Sequence, residues 1–523
     1  MYDILIKNGT LIDGSGEPMY RADIGIKDDR IVKIGKLQNE KADIEIDASE
    51  RLICPGFIDV NNHSDAYWQI FSNPQLESLL YQGITTIIGG NCGASLAPLL
   101  GAKAIESLQK WSNINKTSLN WLTMKEFLKE IEKRKLALNF ATFVGHATLR
   151  RMIVGDDMRG LKLDEIDFLS KKVAIAIKEG SLGMSSGLVY THARSTSEEE
   201  LIAIAKTIKK YDGVYVTHMR NERHGLVESV EESLEIARKT NVKLHISHLK
   251  AVGEKNWGLM DTALDMISHA RENGIDVTFD VYPYTNVGSV LYTLLPFWAT
   301  DGGKKMMIAR LKDPILRERI TNEMRESDVD YSKIEIASSL LNKTLSRRKI
   351  SEIAFSQEKS IEDAVIDTLI ASDGRIIISM DVLSDENIEK ALIHPAAIVS
   401  TNGSGYDDVH GKTGEVVHPR SFGTFTKVLS KYVLGKRILR WEEAISKMTS
   451  IPAKKFGIEK RGTIKEGYYA DVVVFNRDEI SDMATIENPY QYSRGIDFVL
   501  INGKIVLQEG ACNGNRPGEV IRR

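Results

Sequence analysis

Four residues able to hold a metal, His63, Cys92, His218 and His248, each stand at or near the end of a short apolar run. Imidazole nitrogen and thiolate sulfur are favoured zinc ligands, and a catalytic zinc site usually takes three from the protein and leaves a position for water. A metal so held lowers the pKa of its bound water and polarises a carbonyl, which is the chemistry that amide hydrolysis needs. Taken singly, each residue has a plainer role: a strand-end histidine as a hydrogen-bonding group, a lone cysteine as a small buried apolar side chain. Their recurrence at equivalent places points to a site. His146 and Asn402 also end apolar runs and join the candidates.

Alternate residues of a strand share a face. Asn61 and His63 are therefore expected side by side. His218, after Val214 and Val216, and His248, after Leu244 and Ile246, are expected to point into one mouth. His245, of opposite parity to His248, is expected to face helices.

The elements that must position these residues are eight apolar runs, at 57–63, 84–92, 140–146, 182–188, 214–218, 242–248, 276–282 and 396–402. Helical periodicity fills the intervals at 164–179, 198–210, 226–239 and 261–273. Strands alternating with helices predict an α/β fold, and eight such units predict a TIM-type (β/α)8 barrel with its site at the C-terminal strand ends. Residues 288–395 are too many for a loop and are expected to form a subdomain inserted before the eighth strand, with helical stretches at 308–324 and 361–371. Short strands split by Asn-Gly, Gly-Ser-Gly and Lys-Asp-Asp turns occupy the first 55 residues, and strands return at 471–475 and 498–503. The expected organisation is a hydrolase barrel over 56–460 and a small β-sandwich domain built from 1–55 and 461–523.

Composition narrows the class. A chain of 523 residues is too long for one ordinary domain, and 42% hydrophobic with 27% charged residues is typical of a globular soluble protein. A net charge of -3 without basic blocks gives no reason to expect nucleic acid. No apolar run approaches the roughly 20 residues that span a bilayer. The start, Met1-Tyr2-Asp3-Ile4, lacks the basic-then-apolar shape of a signal peptide. Cys54, Cys92 and Cys512 are too few and too scattered for a disulfide framework, and a cytoplasmic location is expected.

Pro55-Gly56-Phe57-Ile58-Asp59 resembles the first barrel strand of the amidohydrolase superfamily. Several further stretches narrow the resemblance to the N-acyl-D-amino-acid deacylases (D-aminoacylases). These are Gly90-Asn91-Cys92-Gly93, Thr217-His218-Met219-Arg220-Asn221-Glu222, Ser247-His248-Leu249-Lys250, Asp280-Val281-Tyr282-Pro283-Tyr284, His418-Pro419-Arg420-Ser421 and Asn515-Arg516-Pro517-Gly518. The resemblance implies a zinc site with Cys92, His218 and His248 as tight ligands, and His63 as part of a weaker second site. It implies Lys250, Tyr282, Ser289 and Arg420 as contacts to the substrate, a small N-acyl amino acid or related amide. Lysine and arginine suit a substrate carboxylate; Arg420 reads equally as half of a structural salt bridge. The inserted segment is expected to cover the mouth and to move.

Two positions depart from the family pattern. His-X-His on the first strand is here Asn61-Asn62-His63, and Ser-Asp-Gly on the eighth is here Thr401-Asn402-Gly403 after Ser400. Asn402 thus occupies the position of the family's general base, and an amide takes no proton near neutral pH. Both changes remove ligands of the second metal, so one zinc per chain is expected. Asp65, Glu222, His224 and Asp407 are substitute bases by position, and each also reads as a solvated loop charge. Three functions remain in view: a single-zinc hydrolase of linear amides, a catalytically impaired metal- and ligand-binding protein, and a barrel lyase or isomerase. Hydrolysis ranks first, because the tight triad and the implied substrate contacts are all present.

Overall fold

The computed structural model describes residues 1–99, 120–155 and 157–523. Its centre is a layer of parallel strands. Phe57–Asp59, Ile84–Gly89 and Asn139–Thr142 form one hydrogen-bonded run, and Val144–Gly145, Gly183–Gly187, Val214–His218, Lys243–Ile246, Val277–Val281 and Ala397–Val399 form a second. Only Phe143 separates the two runs along the chain. At the far edge, a parallel bridge pairs Asn62 with Gly403, and the His63 N–H donates to the Gly403 carbonyl at 2.7 Å.

The alternation of side chains sorts these strands into two faces. Phe57, Phe140, Met184, Tyr215, Leu244, Ile246, Phe279 and Val399 pack with the helices. Ile58, Val60, Ile88, Ala141, Phe143, Val214, Val216 and Ile398 meet one another on the inner face, together with Phe456 and Ile458 from beyond the last strand. The helices follow from local chemistry. Glu198–Lys210 begins at Ser197, whose side chain accepts the Glu200 N–H, and carries three acids in its first turn and two lysines in its last. Both arrangements suit the orphan N–H groups and the helix dipole.

Two features correct the strand-parity expectations. His245 lies on the inner face, not toward the helices: its ring packs 5.1 Å from Phe456, and Nε2–H donates to Asp280 at 3.0 Å. Leu244 and Ile246 face the helices, so parity alone would have sent His248 there as well. Instead the strand ends at Ile246, and His248 adopts a left-handed φ of 38°, which swings its ring back over the strand ends.

The N-terminal strands pair with late ones. Leu52–Pro55 lies between Thr10–Leu11 and Val472–Phe475 in a seven-stranded sheet, with Cys54 opposite Val473. A four-stranded sheet of Arg30–Gly35, Asp23–Lys27, Tyr2–Lys7 and Ala42–Asp47 packs against it, and Ile6, Ile24, Ile53, Val472 and Leu500 share the core between them. Within 288–395, the strands Ile334–Ser339 and Ile376–Asp381 pair antiparallel and take Asn286–Val290 as a third, over a separate core that includes Leu291, Ile336, Val365 and Ile378. Among the described residues, no helix is long and apolar enough to cross a membrane.

Candidate metal centre and its cavity

Cys92 is carried by a tight turn after Ile84–Gly89. Gly90 has a φ of 72°, and a Cβ there would lie 2.2 Å from the Phe143 carbonyl, so only glycine fits. Asn91 Nδ2 donates to the Ile88 carbonyl at 2.8 Å, and the Gly93 N–H to Ser185 Oγ at 3.0 Å. These bonds fix Cys92 at a left-handed φ of 52°. His218 is the last residue of its strand, and its carbonyl accepts the Leu188 N–H at 3.0 Å.

Ligand atoms of Cys92, His218 and His248 all lie within 4.8 Å of one another. Cys92 Sγ is 3.6 Å from His248 Nε2. Zinc bonds of about 2.3 Å to sulfur and about 2.0 Å to nitrogen, at tetrahedral angles, put the two donors about 3.5 Å apart. The donor set therefore fits zinc in both chemistry and spacing. Burial, reinforced by the Lys250 ammonium, holds the His248 imidazole well below its usual range, leaving it neutral as a ligand must be.

Glu222 completes the far side of the triad. Its Oε1 is 2.9 Å from His248 Nδ1, and its Oε2 is 3.7 Å from His218 Nε2. A metal on His248 Nε2 would leave Nδ1 facing two groups at 2.9 Å, the Glu222 carboxylate, which accepts when Nδ1 carries the proton, and the Lys250 ammonium, which donates when it does not. Lys250 is not a free cation: its Nζ donates to Glu222 Oε1 at 2.6 Å and to the His248 carbonyl at 3.1 Å.

The other side of the mouth is built from amides. His63 Nε2–H donates to Asn402 Oδ1 at 2.9 Å. Asn61 Nδ2 donates to both oxygens of Asp280 at 3.3 Å, and Ser400 Oγ–H donates to the same carboxylate. Burial pushes the Asp280 carboxyl up, but His245, His248 and Ser400 outweigh it and leave the group below the ordinary carboxylate range. Asp59, also beneath the mouth, accepts the Thr401 N–H at 2.9 Å and Asn62 Nδ2 at 2.8 Å. Burial raises its carboxyl to about 6.

A cavity of about 340 Å³ opens over the triad. His63, Asn402, Glu222, Lys250, Tyr282, Ser289 and Arg420 line it with the three donors. Arg420 is buried, its guanidinium 5.0 Å from the Tyr282 ring centre, and its Nε and Nη1 have no hydrogen-bond partner among the described residues. Neither of these two atoms meets a carboxylate among the described residues. The inserted segment contributes Ser289 and Phe297 to the wall.

Other candidates lie elsewhere. His146 begins a helix and is buried against Glu200 at 2.8 Å, in a cluster with Arg150. Asp65 is buried, accepting the Gly90 N–H at 2.7 Å and the Ala66 N–H at 2.8 Å. Asp407 caps a short 3-10 helix through the His410 N–H at 2.8 Å. His224 stands at the rim with a side chain 73% exposed, 3.6 Å from Asp328. The sequence reading missed Tyr190 and Arg194, which follow the Gly183–Gly187 strand and line the cavity. Their strand-end position was the available signal.

The fold is that of an amidohydrolase, and residues 413–507 match the Amidohydrolase family. The chain is 32% identical over 522 residues to D-aminoacylase of Alcaligenes xylosoxydans xylosoxydans, covering 100% of this chain and 98% of that one. It is 31% identical over 522 residues to N-acyl-D-glutamate deacylase of the same organism, covering 100% and 96%. The structure of N-acyl-D-glutamate deacylase from Bordetella bronchiseptica, complexed with zinc and a phosphonate mimic of the reaction's tetrahedral intermediate, superposes with a TM-score of 0.84 at 30% identity over 100% of both chains. The chain belongs to the D-aminoacylase (N-acyl-D-amino-acid deacylase) family of the amidohydrolase superfamily.

Proposed function

We propose that this protein hydrolyses the amide of an N-acyl amino acid, with one zinc ion held by Cys92, His218 and His248. The observation that carries the reading is the donor triad at zinc spacing in the floor of a cavity that also holds a buried Arg420, whose Nε and Nη1 lack a hydrogen-bond partner among the described residues. When bound, the metal supplies a polarised carbonyl and a water of lowered pKa. Arg420 takes the substrate carboxylate, since its unpartnered Nε and Nη1 need an acceptor and a guanidinium binds carboxylate through parallel bonds. Tyr282 and Ser289 flank that carboxylate, and Lys250 holds Glu222 in place while presenting its remaining charge to the cavity. Glu222, beside His218 and His248, is the carboxylate that receives a proton: Asn402 cannot, neither Asp65 nor Asp407 lines the cavity, and Asp328, which does, is paired with Arg223. His63 anchors Asn402 and serves at most as a weak ligand.

The same proposal takes the two parallel runs as one (β/α)8 barrel over 56–460, a reading supported by the Asn62–Gly403 bridge. It takes 1–55 and 461–523 as one β-sandwich domain, supported by their shared core, and 288–395 as an inserted cover. A second reading, binding without turnover, is favoured by one observation: the amide of Asn402 stands at the general-base position and is engaged by His63.

Metal content and hydrolysis of N-acetyl-D-amino acids, measured on one sample, test both readings. About one zinc per chain with turnover is expected. One zinc with tight ligand binding and no turnover selects the second reading, and absence of metal overturns both.

A further inference from the structure

The sheet of Asn286–Val290, Ile376–Asp381 and Ile334–Ser339 lays one row of residues across its strands. Gly288 stands opposite Ser379, and Ser379 opposite Glu335. Directly opposed residues of antiparallel strands project from the same face. Arg420 lies over the Gly288 end of the row: a Cβ on Gly288 would sit 3.4 Å from Arg420 Nη2. Neighbouring strands are about 4.8 Å apart, so Glu335 stands about 10 Å from Gly288.

A second cavity, of about 60 Å³, opens along this row. It shares Tyr67, Gly288, Ile378, Asn402 and Arg420 with the cavity over the metal donors, and it adds Ser379, Glu335 and Glu415. Glu415 is already engaged, its Oε2 3.0 Å from His410 Nε2 and its Oε1 accepting from Ser338 Oγ at 3.3 Å. Glu335 is partly buried, and its carboxylate forms no ion pair among the described residues. Burial lifts its carboxyl above the ordinary range, further than the nearby Arg347 and Lys349 lower it. Ser379 Oγ is buried and has no hydrogen-bond partner among the described residues, like Nε and Nη1 of the buried Arg420. No group of metal-type donors converges here among the described residues. The row therefore carries N–H groups in need of an acceptor at one end and, two strands away, a carboxylate and a hydroxyl in need of a donor. A molecule with both a carboxylate and an ammonium satisfies all three. When such an amino acid lays its carboxylate on Arg420, a four-carbon side chain carries its ammonium roughly 6 Å from Cα. With the reach of the arginine and glutamate side chains added, that length spans the row.

We infer that Glu335 and Ser379 form a subsite for an ammonium group, so that the ligand is an N-acyl amino acid with a basic side chain, its carboxylate on Arg420. The inference rests on the proposed N-acyl-amino-acid reading and names the substrate class within it. A hydrogen bond between two charged groups corresponds to a preference of about tenfold or more over the analogue that lacks the charge.

The test compares two matched pairs on zinc-loaded protein: N-α-acetyl-D-lysine against N-acetyl-D-norleucine, and N-α-acetyl-D-ornithine against N-acetyl-D-norvaline. Within each pair the carbon chain is the same and only the ammonium differs. The readout is the ratio within each pair, of kcat/KM where the compounds are hydrolysed and of Kd where they are not. The expected result is a preference of about tenfold or more for the ammonium compound in at least one pair. Glu335→Gln should bring that ratio near one, and Ser379→Ala should lower it by a smaller factor. Glu415→Gln should leave most of it, since that carboxylate is already held by His410. Ratios near one in the unmodified protein, or a preference that Glu335→Gln leaves intact, overturn the subsite while leaving the proposed function standing. Failure of all four compounds to bind or react overturns the N-acyl-amino-acid reading and the subsite with it.

Discussion

The two sides of the mouth are built from the same kind of position, the ends of neighbouring parallel strands, yet they do opposite things. On one side Cys92, His218 and His248 converge with donor atoms within 4.8 Å of one another. On the other, Asn61, His63 and Asn402 are engaged with Asp280 and with each other through hydrogen bonds. The backbone is not what separates them: Cys92, His248 and Asn402 all take left-handed φ values. The difference is chemical. An amide satisfies neighbours as donor and acceptor at once, so it closes a polar pocket without an ion, whereas imidazole and thiolate crowded together leave lone pairs facing one point. One architecture can thus gather metal-type donors on one side of its mouth and close the other side with amides.

The strongest way to break this comparison is on the triad side. Cys92→Ala should leave less than about 0.1 zinc per chain after dialysis against a chelator, by elemental analysis, with the fold retained. Retention of a full equivalent would mean that the metal sits elsewhere. The outer partner should matter next. Glu222→Gln should weaken zinc about 10–100-fold in competition with a chromophoric chelator, because His248 Nδ1 loses its carboxylate.

The amide side should respond in the reverse sense. Asn61→His combined with Asn402→Asp should raise zinc content to about two per chain at saturation, by placing an imidazole and a carboxylate at positions already at the mouth. If the double variant still takes one, the hydrogen-bonded side is closed by more than its two amides. A smaller effect is expected beneath it. The Asp59 carboxyl is raised from 3.8 to about 6, so its folded state binds a proton more tightly than its unfolded state. Its stabilising contribution is complete below the unfolded value and disappears as pH rises through about 6. Urea unfolding of the protein and of Asp59→Asn should therefore diverge between pH 4 and pH 7 by up to about 3 kcal/mol, against the unmodified chain at the higher pH.

Much of this was readable in the sequence, for identifiable reasons. Strand and helix periodicities located the parallel strands, because each buries a regular face. His218 was placed correctly by parity, since its strand stays regular to its last residue. His248 reached the mouth for a reason parity could not supply, a backbone reversal after Ile246. His245 was misplaced by the same reasoning, because the inner face of that strand carries His245, not Leu244 and Ile246. Lys250, singled out by the family resemblance, lines the cavity, but its pairing with Glu222 depends on two loops meeting in space. Arg194 went unnoticed because it ends a short helix seven residues past its strand, and only the packed structure brings it to the cavity wall.

The seam joining Leu52–Pro55 to Val472–Phe475 has a consequence for biogenesis. A ribosome exposes the first of these strands long before the second exists. The isoleucines and leucines of that early sheet must therefore wait, partly uncovered, while all the intervening parallel strands are made. Closure of such distant pairs is slow and invites association in the meantime. The protein should accordingly depend on chaperones during synthesis more than its finished core suggests, and its yield in cells should be limited by this waiting period more than by its final stability.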